Sequence, residues 1–348
     1  MTRGWAVNPS GSISHALRGP GNRLSARRTA ALLTFLVWCA ASAIQARKIA
    51  ADSRLMATSL QAQTMSPVAT LVDGMLDLVP LPQAYVRIRE IVDDPGASLR
   101  AISEVVTSDP ALTGRVLRLA NSAYLALASR VDSIDHAVRV LGLSQIHDIA
   151  LATSAVGSLT RLKNEMFDIF DFWRMSVYTA VCARHLAVSC SLPAPQRLFI
   201  AGLMHNIGNL IIAHQLPQAY TECALAARAK EQPYHLVQQE LLGFDYADVG
   251  AELLRQWNLP PALVQPVALH THTIASVANG DQPFAAVMHI AATTARAAVW
   301  QDADSEPVPD YDATAVALTG TTEETIEELM QQVDTEVSEF IAILMPNA

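Results

Sequence analysis

The run Leu203-Met204-His205-Asn206-Ile207-Gly208-Asn209-Leu210 sets a His-Asn pair among apolar residues of helical spacing. An imidazole beside a carboxylate can hold a divalent cation and activate its bound water. Asn206 keeps the shape of an aspartate without its charge, and hard cations favour carboxylate oxygens. Downstream, Asp245 and the triplet His270-Thr271-His272 add one carboxylate and two imidazoles. His205, Asn206, Asp245, His270 and His272 are the residues of ligand type. They supply too few anions for two metals but enough for one weakly held cation. A structural reading stands beside this one. The plainer reading of His205 is a core histidine bonded to a neighbour, with Asn206 a buried amide satisfying backbone groups. His270 and His272 follow a helix end, where an imidazolium suits the dipole.

The elements that must position these residues are helical. From Pro67 onward apolar residues recur at helical spacing, with no alternating run of strand type. Asp93-Asp94-Pro95-Gly96 is a turn, and Ser98 starts a helix with Leu99, Ile102, Val105 and Val106 inward. Asp109-Pro110 is a start signal, with Asp capping and Pro at the first position. Ser133 caps a helix over 134–141 that Gly142 ends, and Ser144 caps the next. A long helix over 167–189 turns Phe170, Trp173, Val177, Val181 and Leu186 inward, and a helix over 197–213 carries His205. After a helix over 284–300 and an acidic loop, residues 322–344 form an acidic amphipathic helix. Its apolar stripe is Ile326, Met330, Val333 and Val337. The body is thus all-α in two lobes, 68–165 and 166–300, with 301–348 a loop and C-terminal helix.

Charge is unevenly distributed. Residues 1–64 carry eight Lys/Arg and one acid, which leaves 16 basic and 32 acidic residues in 65–348. So acidic a body repels phosphate backbones, and direct nucleic-acid binding is not expected. Arg115 and Arg118 stand out on it. They could meet an acidic partner or phosphate, although solvated pairing with Asp and Glu is the plainer reading. Cys39, Cys182, Cys190 and Cys223 form no CxxC and suit a reducing compartment. The apolar segment 29–44 lies between Arg27-Arg28 and Arg47-Lys48. It is short for a membrane span and also resembles a secretory signal. Residues 1–64 read as an unstructured tail, or as a segment upstream of a translation start at Met56 or Met65 instead of Met1.

An ordered set of motifs resembles the HDOD family across about 68–275. In the first lobe these are Leu81-Pro82, Ser108-Asp109-Pro110-Ala111-Leu112, Leu117-Arg118-Leu119-Ala120-Asn121-Ser122-Ala123-Tyr124 and Ile134-Asp135-His136-Ala137-Val138. In the second they are Phe172-Trp173-Arg174, the stretch around His205, Gly243-Phe244-Asp245, Val249-Gly250 and Trp257-Asn258-Leu259-Pro260. The resemblance implies a bacterial, all-helical fold. Its second lobe is similar to HD metal phosphohydrolases, which implies that His205, Asn206, Asp245, His270 and His272 share one pocket, and the family is generally regarded as non-catalytic. The sequence departs further from the HD pattern at Met175, Asn209 and Tyr246, where related proteins carry His, Lys and His.

The expected function is a non-catalytic signalling module acting through protein–protein interaction, with a degenerate HD pocket open to a small ligand. No catalytic residue, metal or cofactor is assigned, and the expected partners are proteins of a signalling pathway. The alternative is a residual HD-type phosphohydrolase using one cation on His205 and His270. The expected location is the cytoplasm, or a membrane surface if 29–44 acts as an anchor.

Overall fold

The computed structural model describes residues 66–345, apart from 77, 79, 81–82, 93, 95, 97, 123–129, 161–167 and 300–306. The expectations for 1–64, including 29–44, and the motif residues Leu81, Pro82, Ala123 and Tyr124 lie outside the described residues. The chain divides into two units, 1–64 and 65–348, and the elements described below belong to the second. Its described residues contain helices and no strand. No helix among them is long and apolar enough to cross a membrane.

The first-lobe helices are α1 (Pro67–Leu76), α2 (Gln83–Val92), α3 (Leu99–Ser108), α4 (Pro110–Ala120) and α5 (Ile134–Leu159). Three of the start signals act as expected. Ser98 accepts from the Ala101 amide, Asp109 from the Ala111 and Leu112 amides with Pro110 at the first position, and Ser133 from the His136 amide. Gly142, at φ +78°, breaks α5 where the sequence places a helix end, a backbone conformation that suits glycine. Helices α2, α3 and α4 pack on α5. Helix α1, assigned to this lobe by sequence, packs instead on the second lobe's α8 (Ile207–Gln215) and α11 (Tyr246–Gln256). Leu99, expected inward, is exposed, and Ile102, Ser103 and Val106 form the buried face of α3.

The second lobe is built around α6 (Ile169–Ser189), capped by Asp168 at the Phe170 amide. Helices α7 (Pro195–Met204) and α13 (Gln282–Val299) pack along it. It is buried on nearly every side from Phe172 to Ala183, as an apolar helix at the centre of a lobe must be. Helices α9 (Pro217–Lys230), α10 (Tyr234–Leu242) and α12 (Pro261–Leu269) complete the lobe. The lobes are tied by Arg89, whose Nη1 donates to the Trp257 carbonyl at 3.0 Å.

The single helix expected over 197–213 is two. The chain breaks at His205-Asn206, between α7 and α8. Two glycines explain the tight seating on either side. A Cβ on Gly202 would lie 2.6 Å from the Ala180 Cα of α6, and one on Gly208 would lie 1.9 Å from the Tyr246 carbonyl oxygen. Helix α7 is thus pressed onto α6 and α8 onto α11, and the turn between them presents His205 to the lobe interior.

After α14 (Ala313–Thr319), the C-terminal α15 (Glu323–Leu344) touches α4 and α5 of one lobe and α6 and α13 of the other. Its buried stripe is Leu329, Val333, Val337, Phe340, Ile343 and Leu344. Ile326 and Met330, expected to lead that stripe, are half-buried. The helix is rotated so that its later, bulkier residues fill the seam between lobes. A polar clamp fixes it to α6. Glu336 accepts from Arg184 Nη2 at 2.7 Å and from His185 Nε2 at 2.9 Å. Burial raises the Glu336 pKa, but the His185 hydrogen bond and the Arg184 charge outweigh it and leave it lowered. The clamp's contribution is therefore present above the ordinary Glu range and lost as pH falls through the lowered value. Glu336→Ala is expected to lower stability by about 1–3 kcal/mol at neutral pH, measured by urea unfolding.

Candidate functional site

His205 is fully buried and ends α7. Its Nδ1 lies 2.7 Å from the Gly202 carbonyl oxygen, so that nitrogen carries the proton and donates. The Nε2 atom is left as a bare lone pair, buried and without a hydrogen-bond partner. His270, just past α12, repeats the arrangement. Its Nδ1 donates to the Val267 carbonyl at 2.7 Å, and its Nε2 accepts from the Tyr246 hydroxyl at 3.1 Å. The two rings meet edge-on with centroids 5.4 Å apart. Carbonyl-anchored Nδ1 atoms hold both imidazoles in the tautomer that a metal ligand uses.

The rest of the site is not that of a metal centre. Arg296 of α13 is buried and donates from Nη2 to the Tyr246 hydroxyl at 3.0 Å. Its guanidinium carbon lies 5.5 Å from the Tyr246 ring centroid. Asn206 accepts from Asn209 Nδ2 at 2.8 Å, Asn209 accepts from Gln238 Nε2 at 3.0 Å, and Gln238 accepts from the Tyr246 amide at 3.0 Å. This neutral amide ladder runs from the α7–α8 turn through α10 to α11. Asn206 and Asn209 pair i to i+3, so the two departures from the HD pattern answer each other. An Asp–Lys pair would be a buried ion pair, which is expensive to desolvate, whereas Asn–Asn is neutral and satisfied.

Asp245 is buried, but both oxygens are engaged. Oδ1 caps α11 by accepting from the Ala247 and Asp248 amides, and Oδ2 accepts from the Thr271 hydroxyl at 3.0 Å. Burial and the Asp248 charge push its carboxyl up. His272 is exposed. The structure thus brings His205 and His270 together, joins Asn206 to the amide ladder and makes Asp245 a helix cap. Among the described residues, no group of three or more His, Cys, Asp or Glu is placed to hold a metal ion.

A divalent cation does not fit these residues. Two neutral nitrogens converge, no carboxylate oxygen is free among the pocket candidates, and a guanidinium already supplies positive charge. Sequence reasoning missed Arg296, Gln238 and His289. The signal for Arg296 was a lone charge in the apolar run Ala291-Ala292-Thr293-Thr294-Ala295-Arg296-Ala297-Ala298. His289, one face-repeat earlier, donates from Nδ1 to the His270 carbonyl and accepts at Nε2 from the Asp312 amide, both at 3.0 Å.

Burial holds the histidines neutral. The His205 pKa falls to about 3, from burial and, secondarily, the Arg296 charge. His270 is lowered by burial, then by His205 and Arg296. His235 on α10 falls to about 3, from burial and then Arg296. Unfolded histidine takes up a proton near pH 6.5, so each group favours the folded state above that pH. That contribution is lost as pH falls toward 3, at about 1.4 kcal/mol per unit for each group. Urea midpoints are expected to fall steeply from pH 6.5 to 4.5, and His235→Gln should flatten the slope by about one proton. A pH-independent midpoint over that range would show the imidazoles to be solvated.

Known proteins share this architecture. Residues 78–273 match the HDOD domain family. A crystal structure from Shewanella amazonensis, provisionally named a phosphohydrolase, is 29% identical with a TM-score of 0.61, covering 79% of this chain and 98% of its own. A Marinobacter aquaeolei structure, provisionally named a signal transduction protein, is 20% identical with a TM-score of 0.59, covering 82% of this chain and 62% of its own. An uncharacterised Treponema pallidum protein is 24% identical over 238 residues, 68% of this chain. The chain spans about half the length of that curated relative, 46%.

Proposed function

The chain belongs to the HDOD domain family, and from that premise we propose that it is a non-catalytic regulatory module. It acts in bacterial signal transduction, in the cytoplasm, by binding other proteins. The observation that carries this reading is the Arg296 guanidinium at the Tyr246 hydroxyl, beside the His205–His270 pair. In an HD phosphohydrolase, cations bound by carboxylates and imidazoles polarise the phosphoryl oxygen and generate hydroxide. Here an immobile cation stands among neutral side chains, and it supplies neither an open coordination position nor a bound nucleophile. His205, Asn206, Asp245, His270 and His272 are the remnant of a ligand pocket, and the first four now serve to hold helix ends together.

One observation favours the second reading, a residual phosphohydrolase. The His205 Nε2 lone pair is unpartnered and in ligand tautomer. Turnover decides between the readings. The purified full chain is incubated with nucleotides, cyclic dinucleotides and a chromogenic phosphodiester in Mn, Mg, Fe or Zn. No hydrolysis above the His205→Ala background is expected. Hydrolysis that His205→Ala removes would establish the enzyme instead. Reversal of Glu323, Glu324, Glu327 and Glu328 tests the exposed face of α15 as a partner surface. If captured partners are unchanged, that face takes no part.

A further inference from the structure

We propose that the furrow between α4 and α15 is a docking site for an acidic amphipathic segment of a partner protein. This rests on the interaction-module reading above and gives it a surface. The furrow is open to solvent and encloses about 670 Å³. Its walls are apolar in part, with Leu117 and Val131 on the first-lobe side and Ala342 and Ile343 on α15, and Asn121 and Ser122 add polar groups. Arg118 and Arg130 stand on its rim, both exposed. Sequence alone suggested that Arg118 pairs with a surface acid. Neither arginine has an ion-pair partner among the described residues. Two acids also line the furrow: Asp132 lies 3.5 Å from His136, and Glu339 has an interaction of its own. On a body with twice as many acids as bases, two unpaired arginines beside an apolar trough are a local exception. Exposed arginine next to apolar wall is the composition of an interface anchor.

The chemistry of the occupant is set by the interface that already lies alongside. Helix α15 covers the seam between the lobes with an apolar stripe, and Glu336 answers Arg184. The furrow continues that interface along the flank of α15 and repeats its terms, apolar trough plus arginine. An acidic amphipathic segment matches both. A small phosphorylated ligand fits less well. Such ligands need sites that enclose most of their surface, and this trough is open along its length.

The test uses the full chain and a synthetic fluorescein-labelled helix of Glu and Leu, followed by fluorescence anisotropy. Its Lys-for-Glu counterpart is the control, and inorganic phosphate and a cyclic dinucleotide are the competitors. Saturable binding of the Glu–Leu helix is expected, with none of the Lys version. Arg118→Glu with Arg130→Glu should weaken it at least about tenfold, and Arg118→Lys with Arg130→Lys should retain most of it. Both arginines are exposed, so an unchanged melting curve confirms the fold. If the reversal does unfold, Arg118→Gln with Arg130→Gln replaces it. Equal binding to wild type and reversed variant overturns the proposal. So does an absence of peptide binding, and so does displacement of the bound peptide by phosphate or dinucleotide, which would make this a small-anion site. Each of these failures leaves the non-catalytic reading intact, because that reading rests on the His205–Arg296 pocket and not on this furrow.

Discussion

Gly208→Ala is expected to abolish the folded second lobe. The added Cβ would lie 1.9 Å from the Tyr246 carbonyl oxygen and 2.8 Å from the Gly250 amide nitrogen. Both obstacles are backbone, so no rotamer change relieves them. Accommodation requires α8 to lift from α11. That would break the Asn206–Asn209–Gln238–Tyr246 ladder, whose amides are buried. A lost backbone seat together with unsatisfied buried amides places the effect at or above about 4 kcal/mol. Gly280→Ala is the control, because nothing lies within 4 Å of its added Cβ. Circular dichroism melts of the two variants should differ by most of the folded signal. A Gly208→Ala protein melting with wild type would mean that α8 and α11 do not touch at this glycine.

Arg296→Met is expected to lower stability by about 3 kcal/mol, through a lost charged hydrogen bond and lost packing of the stem. Tyr246 links Arg296 to His270, so the three act as one unit. Tyr246→Phe alone should cost about 1–2 kcal/mol, from a buried donor and acceptor left without that hydroxyl. The double variant should fall short of the sum by at least about 0.5 kcal/mol. The Arg296 charge is one cause of the lowered His205 and His270 values, so its removal should move both upward, read by imidazole NMR titration. Additive losses and unmoved titrations would separate Arg296 from the histidine pair.

Much of the fold is legible in the sequence because its signals are local. Ser98, Asp109-Pro110 and Ser133 each cap the helix that their identity and position indicate. Gly142 turns where an L side chain is disfavoured. The pairing of His205 with His270 is also readable, through the ordered HDOD motifs. What fails depends on tertiary approach. The break at His205-Asn206 comes from glycines that seat one helix on another, and a periodic apolar run does not show it. Asp245 looks like a ligand by type and is a cap by position, a distinction carried by the Ala247 and Asp248 amides. The rotation of α15 is set by the seam it fills, since Leu329 and Met330 are equally apolar in isolation. Arg296 is far from the motif in sequence and meets it only because α13 packs along α6.

Metal stoichiometry tests the central claim most directly. The full chain is equilibrated with Mn, Fe, Zn or Mg, dialysed, and measured by plasma mass spectrometry beside Arg296→Met and His205→Ala. The expected wild-type result is well below about 0.1 metal per chain, since two neutral imidazoles beside a fixed guanidinium make a poor cation site. One metal per wild-type chain, lost in His205→Ala, would contradict it and return the protein to the metal-dependent hydrolases.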